Sequence, residues 1–216
     1  GDLVSNLMLE SKIKGHLLTD DKVNTYWTNN TGHALIKEAE IEIGGQRIDR
    51  HYSQWLDIEN EVNGSNGGVS AGGVNSQDAP GLNKSTANTM AEDLIVPDAI
   101  YTFYIPLKFW FCRNHGLALP LIALQYHEVK LKILTRALSG LVCTVLGYGD
   151  DIPISQELNL YADYIYLDTD ERRRFAQVSH EYLIEQVQRE SGAMAETFKL
   201  NFNHPVKELL WVVQDN

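Results

Sequence analysis

Histidine and glutamate stand side by side at His127-Glu128, and both side chains are common metal ligands. Metal sites of cupin or metalloprotease type gather such ligands at fixed spacing, as His-x-His or His-Glu-x-x-His. Neither pattern occurs, and the seven histidines are scattered singly. His127-Glu128 therefore reads as a pair at a strand irregularity, and no metal or cofactor is expected. Hydrolysis by serine needs the residue on a strand-to-helix elbow. Gly68 to Gly72 spells Gly-Val-Ser-Ala-Gly, but the glycine-rich run Asn63 to Ser76 around it neither follows a strand nor opens a helix. The same context excludes a phosphate cradle, and no Gly-x-x-x-x-Gly-Lys motif is present. No catalytic residue is assigned.

Asp170-Glu171-Arg172-Arg173-Arg174 has the charge to grip a phosphate or a lipid head group. Its acids can pair with its arginines locally, and the net charge of −11, from 29 acidic and 18 basic residues, repels phosphate. The cluster reads as a charged corner after a strand, or as an inter-subunit salt-bridge network. In the second case arginine suits the site, because its planar fork grips carboxylates bidentately. A nucleic-acid binder needs a basic footprint, so no direct nucleic-acid contact is expected. Three Asn-x-Ser/Thr triplets begin at Asn29, Asn63 and Asn83, all in loop-like sequence where a glycan is tolerated. The two cysteines, Cys112 and Cys143, form no spaced framework, which favours a reducing compartment.

The elements that position these residues begin with Ile105 to Val129, IPLKFWFCRNHGLALPLIALQYHEV. It carries two apolar blocks split by Arg113-Asn114-His115-Gly116. Its longest unbroken apolar run, Leu117 to Leu124, has eight residues, against the roughly 20 of a membrane-spanning helix. No transmembrane segment is expected. Aromatic and β-branched residues favour strands, so two core strands are predicted, within Leu94 to Cys112 and Leu117 to Leu134. Phe109, Trp110 and Phe111 then fill space on both sides of a strand, and Leu121, Leu124 and Tyr126 join them as core. The alternation slips by one near His127-Glu128, which predicts a bulge there.

Around this centre the pattern is one of short strands. Gly1 to Lys14 reads as a first strand. Ala39, Ile41 and Ile43 alternate with Glu38, Glu40 and Glu42, the period of a half-buried strand. Gly44-Gly45 suits a two-residue hairpin turn, with Gln46 to Arg50 returning. Tyr52 to Val62 shifts to helical period, and Trp55 pins this single short helix to the edge of the sandwich. Asn63 to Asn88 is a polar loop, with five glycines in the fourteen residues to Ser76. Further strands are predicted in Leu141 to Leu146, Leu158 to Leu167, Tyr182 to Val187, Phe198 to Phe202 and Leu209 to Val213. Many short strands with turn-rich connections indicate an all-β sandwich or barrel. The chain starts in mid-pattern at Gly1 and stops just after Trp211-Val212-Val213, as a piece of a longer protein would.

IPLKFWFCRNHGLALPLIALQYHEVKLKI, LDTDERRRFAQ (Leu167 to Gln177), FNHPVKELLWVVQ (Phe202 to Gln214) and IDRHYSQWLDIENE (Ile48 to Glu61) together resemble the major capsid protein of nucleocytoplasmic large DNA viruses, the group of iridoviruses, phycodnaviruses and marseilleviruses. The resemblance implies a double jelly roll. Residues 1–188 would be a first jelly-roll β-sandwich, 189–196 a linker, and 197–216 the first strand region of a second. It also implies a homotrimer of pseudo-hexagonal outline that meets neighbouring capsomers and minor capsid proteins in the virion capsid, assembled in host cytoplasm. Two other classes stay open on the residues alone. A lectin-like jelly roll could offer Tyr101, Tyr104 and Tyr148 as stacking surfaces for glycans. An enzyme of cupin type would carry a bound metal.

Overall fold

The computed structural model describes residues 1–14, 25–28, 30–63, 100–144, 147–148, 155–192 and 197–213. Among these, the elements in chain order are β1 (Leu3–Lys14), β2 (Thr25–Trp27), α1 (Thr31–Leu35), β3 (Ile36–Ile43), β4 (Gln46–Tyr52), α2 (Ser53–Asn63) and β5 (Ile100–Pro106). There follow α3 (Trp110–Arg113), β6 (Leu119–Pro120), β7 (Val129–Thr135), β8 (Val142–Thr144), β9 (Gly147–Tyr148), β10 (Ser155–Ile165) and α4 (Thr169–Gln177). Single 3-10 turns occupy His115–Leu117, Leu121–Leu124 and Leu138–Leu141. By contact the chain divides into two compact units, Gly1–Gln186 and Val187–Asn216.

The first unit carries three antiparallel sheets. β1 lies between β10 and β5, and its first residues also pair with β6. β3 lies between β4 and β7, and β8 between β2 and β9. Residues directly opposite in such a ladder share a face. Leu9 opposes Ile105, Ser11 opposes Phe103 and Ile13 opposes Tyr101. All six are buried, and they form the inner face of this sheet. Met8, Glu10 and Lys12 take the outer face. Toward β10 the inner face thins out: Leu158 and Leu160, opposite Ser11 and Leu9, are 42% and 48% exposed.

The β3–β4 hairpin forms as its glycines require. Gly44 and Gly45 have φ of 59° and 82°, the left-handed pair that a tight turn matching strand twist needs. A register shift between Ile41 and Glu42 follows, so that Ile41 faces Asp49 and Ala39 faces His51. Since a one-residue shift turns every later side chain over, Asp49 and His51 point inward. In α2, Leu56 and Glu59 are buried. In α4 the Asp168 carboxylate accepts the Glu171 amide at 2.8 Å as a cap, and Asp170 and Glu171 suit the positive end of the helix.

Several predicted elements differ. Strand β5 ends at Pro106, and Phe109 to Arg113 is a bend followed by one helical turn, so the three rings do not sit on a strand. Leu117 to Leu134 is likewise broken by 3-10 turns, and only Val129–Thr135 is a long strand. The alternation slips near His127-Glu128 because two structures meet there, and the register shift in the β3–β7 ladder lies at Ile36/Glu38 instead. Among the described residues three helices accompany α2. Among the described residues no strand forms in 182–187, 198–202 or 209–213. A strand needs a neighbour's backbone, and in the second unit the bridging is by side chains. Gln188 Nε2 donates to the Asn203 carbonyl at 3.1 Å, and the Asn203 amide donates back to Gln188 Oε1 at 2.9 Å. The Asn201 amide reaches Glu190 Oε2 at 2.9 Å.

Candidate functional site

The aromatic block between β5 and β6 is fully part of the buried core. Along β5, Tyr101 and Phe103 point inward and meet Trp27 edge-on, with ring centroids 5.3 and 6.2 Å apart. Beyond Pro106 the chain stays tied to β1, where the Leu107 amide donates to the Leu7 carbonyl at 2.9 Å. Phe109 then stacks on His51 of β4 at 4.5 Å, and Phe111 lies nearly parallel to Phe109 at 5.8 Å. Trp110 meets Phe111 edge-on at 5.1 Å. Offset and edge-on rings of this spacing attract beyond their burial alone. Phe109, Trp110 and Phe111 are all buried.

The neighbours of this block are polar and only partly satisfied, with both His51 ring nitrogens and Glu59 Oε2 buried without a hydrogen-bond partner. His51 Nε2 lies 2.8 Å from Asp49 Oδ2, both side chains 1% exposed, although the approach is not aligned as a hydrogen bond. Asp49 Oδ1 accepts the Arg50 amide at 2.9 Å. Lys108 Nζ is 3.3 Å from the buried Glu59 carboxylate on α2. Arg113 lies over the half-buried Trp55 ring at 5.7 Å, donates to the Lys108 carbonyl at 3.0 Å, and pairs with Glu185 at 2.8 Å. The predicted core residues Leu121 and Leu124 are partly buried against the same cluster. Tyr126 is not core: it is 95% exposed. The turn Gln125-Tyr126 leaves the 3-10 segment heading outward, so the strand alternation that placed Tyr126 inside does not apply.

The outer faces carry polar networks. Glu40 accepts from Arg50 Nε at 2.9 Å and Nη2 at 2.6 Å, with Lys132 at 3.7 Å and Arg47 at 3.8 Å, and these cations hold its carboxyl below the usual range. Lys132 also pairs with Glu42. Glu10, buried on the outer face of β1, accepts from Asn159 Nδ2 at 2.9 Å, which holds its carboxyl low. Asp2 takes the Leu167 amide at 2.8 Å and Arg172 at 2.9 Å, and its carboxyl is lowered by both.

Ser53, His33 and Asp57 gather around a hollow of about 90 Å³ between α1 and α2, with His33 Nδ1 3.5 Å from Asp57 Oδ1. A triad needs its serine proton on the histidine. Ser53 Oγ instead donates to Gln54 Oε1 at 3.3 Å and accepts from Arg136 at 2.9 Å. Cys112 lines a hollow of about 250 Å³ with Met8, Pro106 and Tyr161, and burial pushes its thiol up to about 11, so the nucleophilic thiolate is suppressed. Among the described residues no group of three or more His, Cys, Asp and Glu side chains is placed to hold a metal. No helix among them is long and apolar enough to cross a membrane. Asn29, Asn83 and the side chain of Asn63 lie outside the described residues.

Comparison with known proteins decides between shape and chemistry. A family model described as "Major capsid protein N-terminus" matches residues 1–168, and one described as "Large eukaryotic DNA virus major capsid protein" matches residues 171–216. The chain belongs to the major capsid protein family of large eukaryotic DNA viruses. It is 46% identical over 223 residues to the major capsid protein of Pyramimonas orientalis virus, covering 98% of this chain and 49% of the relative. Capsid protein 1 of Acanthamoeba polyphaga mimivirus is 41% identical over 227 residues, with 99% of this chain and 38% of the relative covered. The PBCV-1 virus capsid, solved as a quasi-atomic model, matches with a TM-score of 0.60 at 32% identity, over 86% of this chain and 40% of that one. The chain thus spans about half or less of the length of its relatives.

The expected all-β jelly-roll class holds for this capsid protein, whose described sheets are open rather than closed into a barrel. The family is a structural one and not an enzyme family. The lectin-like alternative finds no support. Tyr101 is 3% exposed behind Trp27, leaving no free face for a sugar, and Tyr104 is engaged with the Glu10 carboxylate. The side chain of Tyr148 lies outside the described residues. Reasoning from the sequence missed Trp27 and the Asp49–His51 pair. The signal for the pair is the bulge in the hairpin, which cannot be counted from the turn alone.

Proposed function

We propose that this chain is the leading part of a self-assembling shell subunit, with residues 1–188 as a first jelly roll, 189–196 as a linker and 197–216 opening a second. Three subunits associate into a pseudo-hexameric capsomer, and capsomers tile an icosahedral shell with neighbouring capsomers and minor capsid proteins in the host cytoplasm. The observation that supports this reading is the buried, ring-stacked block Phe109 to Phe111, whose adjacent Cys112 thiol is suppressed by burial. A core of that kind fixes a shape. Burial consolidates each sandwich core first, and more polar contacts then join subunits, where numerous weak contacts sum to a stable lattice.

The test is light scattering and negative-stain imaging of the full-length protein. A trimer that forms patches of hexagonal lattice is the expected result. A monomer at every concentration, with no lattice in virions that contain it, overturns the reading.

A further inference from the structure

α4 has no buried residue, yet it is tied down at its base. The Asp2 carboxylate, just before β1, accepts the Leu167 amide at 2.8 Å and Arg172 Nη2 at 2.9 Å. Past the helix the chain is locked to it. The Val178 amide donates to the Arg174 carbonyl at 3.1 Å, His180 Nε2 donates to the Phe175 carbonyl at 2.8 Å, and the His180 and Phe175 rings stack at 4.8 Å. From there half-buried His180, Tyr182 and Ile184 alternate with exposed Glu181, Leu183 and Glu185, the pattern of an extended segment lying with one face down. Ile184 packs against the core cluster, Glu185 pairs with Arg113 at 2.8 Å, and Gln186 Nε2 donates to the Ile48 carbonyl. The first unit ends at that residue.

We propose that residues 168–186 form one arm, clasped to the rest of the first unit at Asp2–Arg172 and Arg113–Glu185, that opens and closes as a single piece while the sheets stay folded. The two clasps have opposite polarity, with the carboxylate outside the arm at one and the guanidinium outside it at the other. Their arm-side partners, Arg172 and Glu185, are 49% and 42% exposed, so each clasp contributes little on its own. Segments with few buried apolar groups open at a lower free energy than the whole fold. The Phe175–His180 lock transmits the opening of one clasp to the other, which makes the arm cooperative. Its seat is composite, with Asp2 beside β1, Arg113 on α3 and Ile48 on β4, and is complete only once the sheets have formed. The arm therefore closes last and opens first, at the point where the chain passes into the second unit. Both clasps lie within the first unit, so no second copy is needed to hold it.

The experiment is limited proteolysis of the full-length protein, with cut sites and rates followed by mass spectrometry and normalised to the free peptide of the same sequence. Trypsin at Arg173 and Arg174 reads the helical half of the arm, and chymotrypsin at Tyr182 and Leu183 reads the extended half. Such cleavage tracks the population of the opened form. Glu185→Gln should speed the trypsin cuts, and Arg172→Gln the chymotrypsin cuts, each about two- to fivefold, with Lys12 and Lys14 of β1 still protected. Ile184→Ser, which removes the apolar anchor, should speed the trypsin cuts on the order of tenfold. Acceleration confined to the half that carries the substitution shows two independent attachments and overturns the single arm. So do unchanged rates in both clasp variants, or arm cuts that appear only together with cuts at Lys12 and Lys14.

Discussion

Replacing Phe109 by alanine removes a ring that is fully buried and stacked between His51 at 4.5 Å and Phe111 at 5.8 Å. The loss has two parts, the transfer of the ring to water and the cavity left among neighbours held by other contacts. For phenylalanine they sum to about 3–5 kcal/mol. The upper half of that range applies here, because Phe111 on α3 and His51 on β4 belong to different elements and cannot close the gap together. Tyr126→Ala is the matched control. Also an aromatic truncation, but at 95% exposure, it should stay within about 0.5 kcal/mol of wild type. Urea denaturation of the full-length protein, followed by tryptophan fluorescence with Trp110 adjacent, reads both. Phe109→Leu, which keeps most of the volume, should fall between them at under about 1.5 kcal/mol. Equal midpoints for Phe109→Ala and Tyr126→Ala would refute the assignment of this block as the core.

Two further outcomes test the surface networks. The Glu40 carboxyl is held low by Arg50 foremost, so its folded value lies below its unfolded one and its contribution is present above the unfolded range and lost as pH falls through the folded value. Glu40→Gln should therefore cost about 1–2 kcal/mol at neutral pH and converge with wild type in urea titrations as the pH approaches the acid limit. A gap that persists or widens in acid would show that the ion pairs are not its source. At the hairpin, Gly44 has φ of 59° and a Cβ there would stand 2.8 Å from His127 Nδ1, whereas Gly45, at 82°, has open space around it. Gly45→Ala should lose about 1–2 kcal/mol through backbone strain alone, and Gly44→Ala more; thermal melts in which Gly44→Ala is the milder of the two would contradict the turn geometry.

What could be read from the sequence follows from where one face is buried and the other is not. The β3–β4 hairpin and α2 show such a period, and they, like β1 and β10, form within a few residues of the expected limits. The hairpin also shows where reading stops. A two-residue loop would by itself pair Ile41 with residue 48, but the bulge pairs it with Asp49, and every later side chain changes face. That single shift hides the Asp49–His51 pair from any count of alternation. Helix α4 was missed for the opposite reason. None of its residues is buried, so it has no apolar stripe, and only the Asp168 cap and the acid-then-basic order mark its ends. The tail strands were over-read, because apolar alternation predicts a strand only when another backbone lies beside it to complete the ladder.

The aromatic block is the case in which the wrong element still pointed to the right core. On a strand Phe109 and Phe111 would share one face and Trp110 would take the other, so burying all three would need cover on both sides. The bend and helical turn bring the three rings into one cluster instead, and apolar composition cannot distinguish the two arrangements when every side chain ends up buried. The turn also does what a strand could not. It leaves the β10–β1–β5 sheet at Leu107, which is still bonded to Leu7, and places Phe109 against His51 of the β4–β3–β7 sheet. Arg113 then closes the stretch over Trp55 of α2. Two sheets and a helix are thereby joined through consecutive rings whose stacking distances are set by van der Waals contact, which resists both approach and separation. Rigidity of this kind is what the proposed shape-holding role asks of the stretch, and the one thiol beside it, Cys112, is kept in its unreactive form by burial.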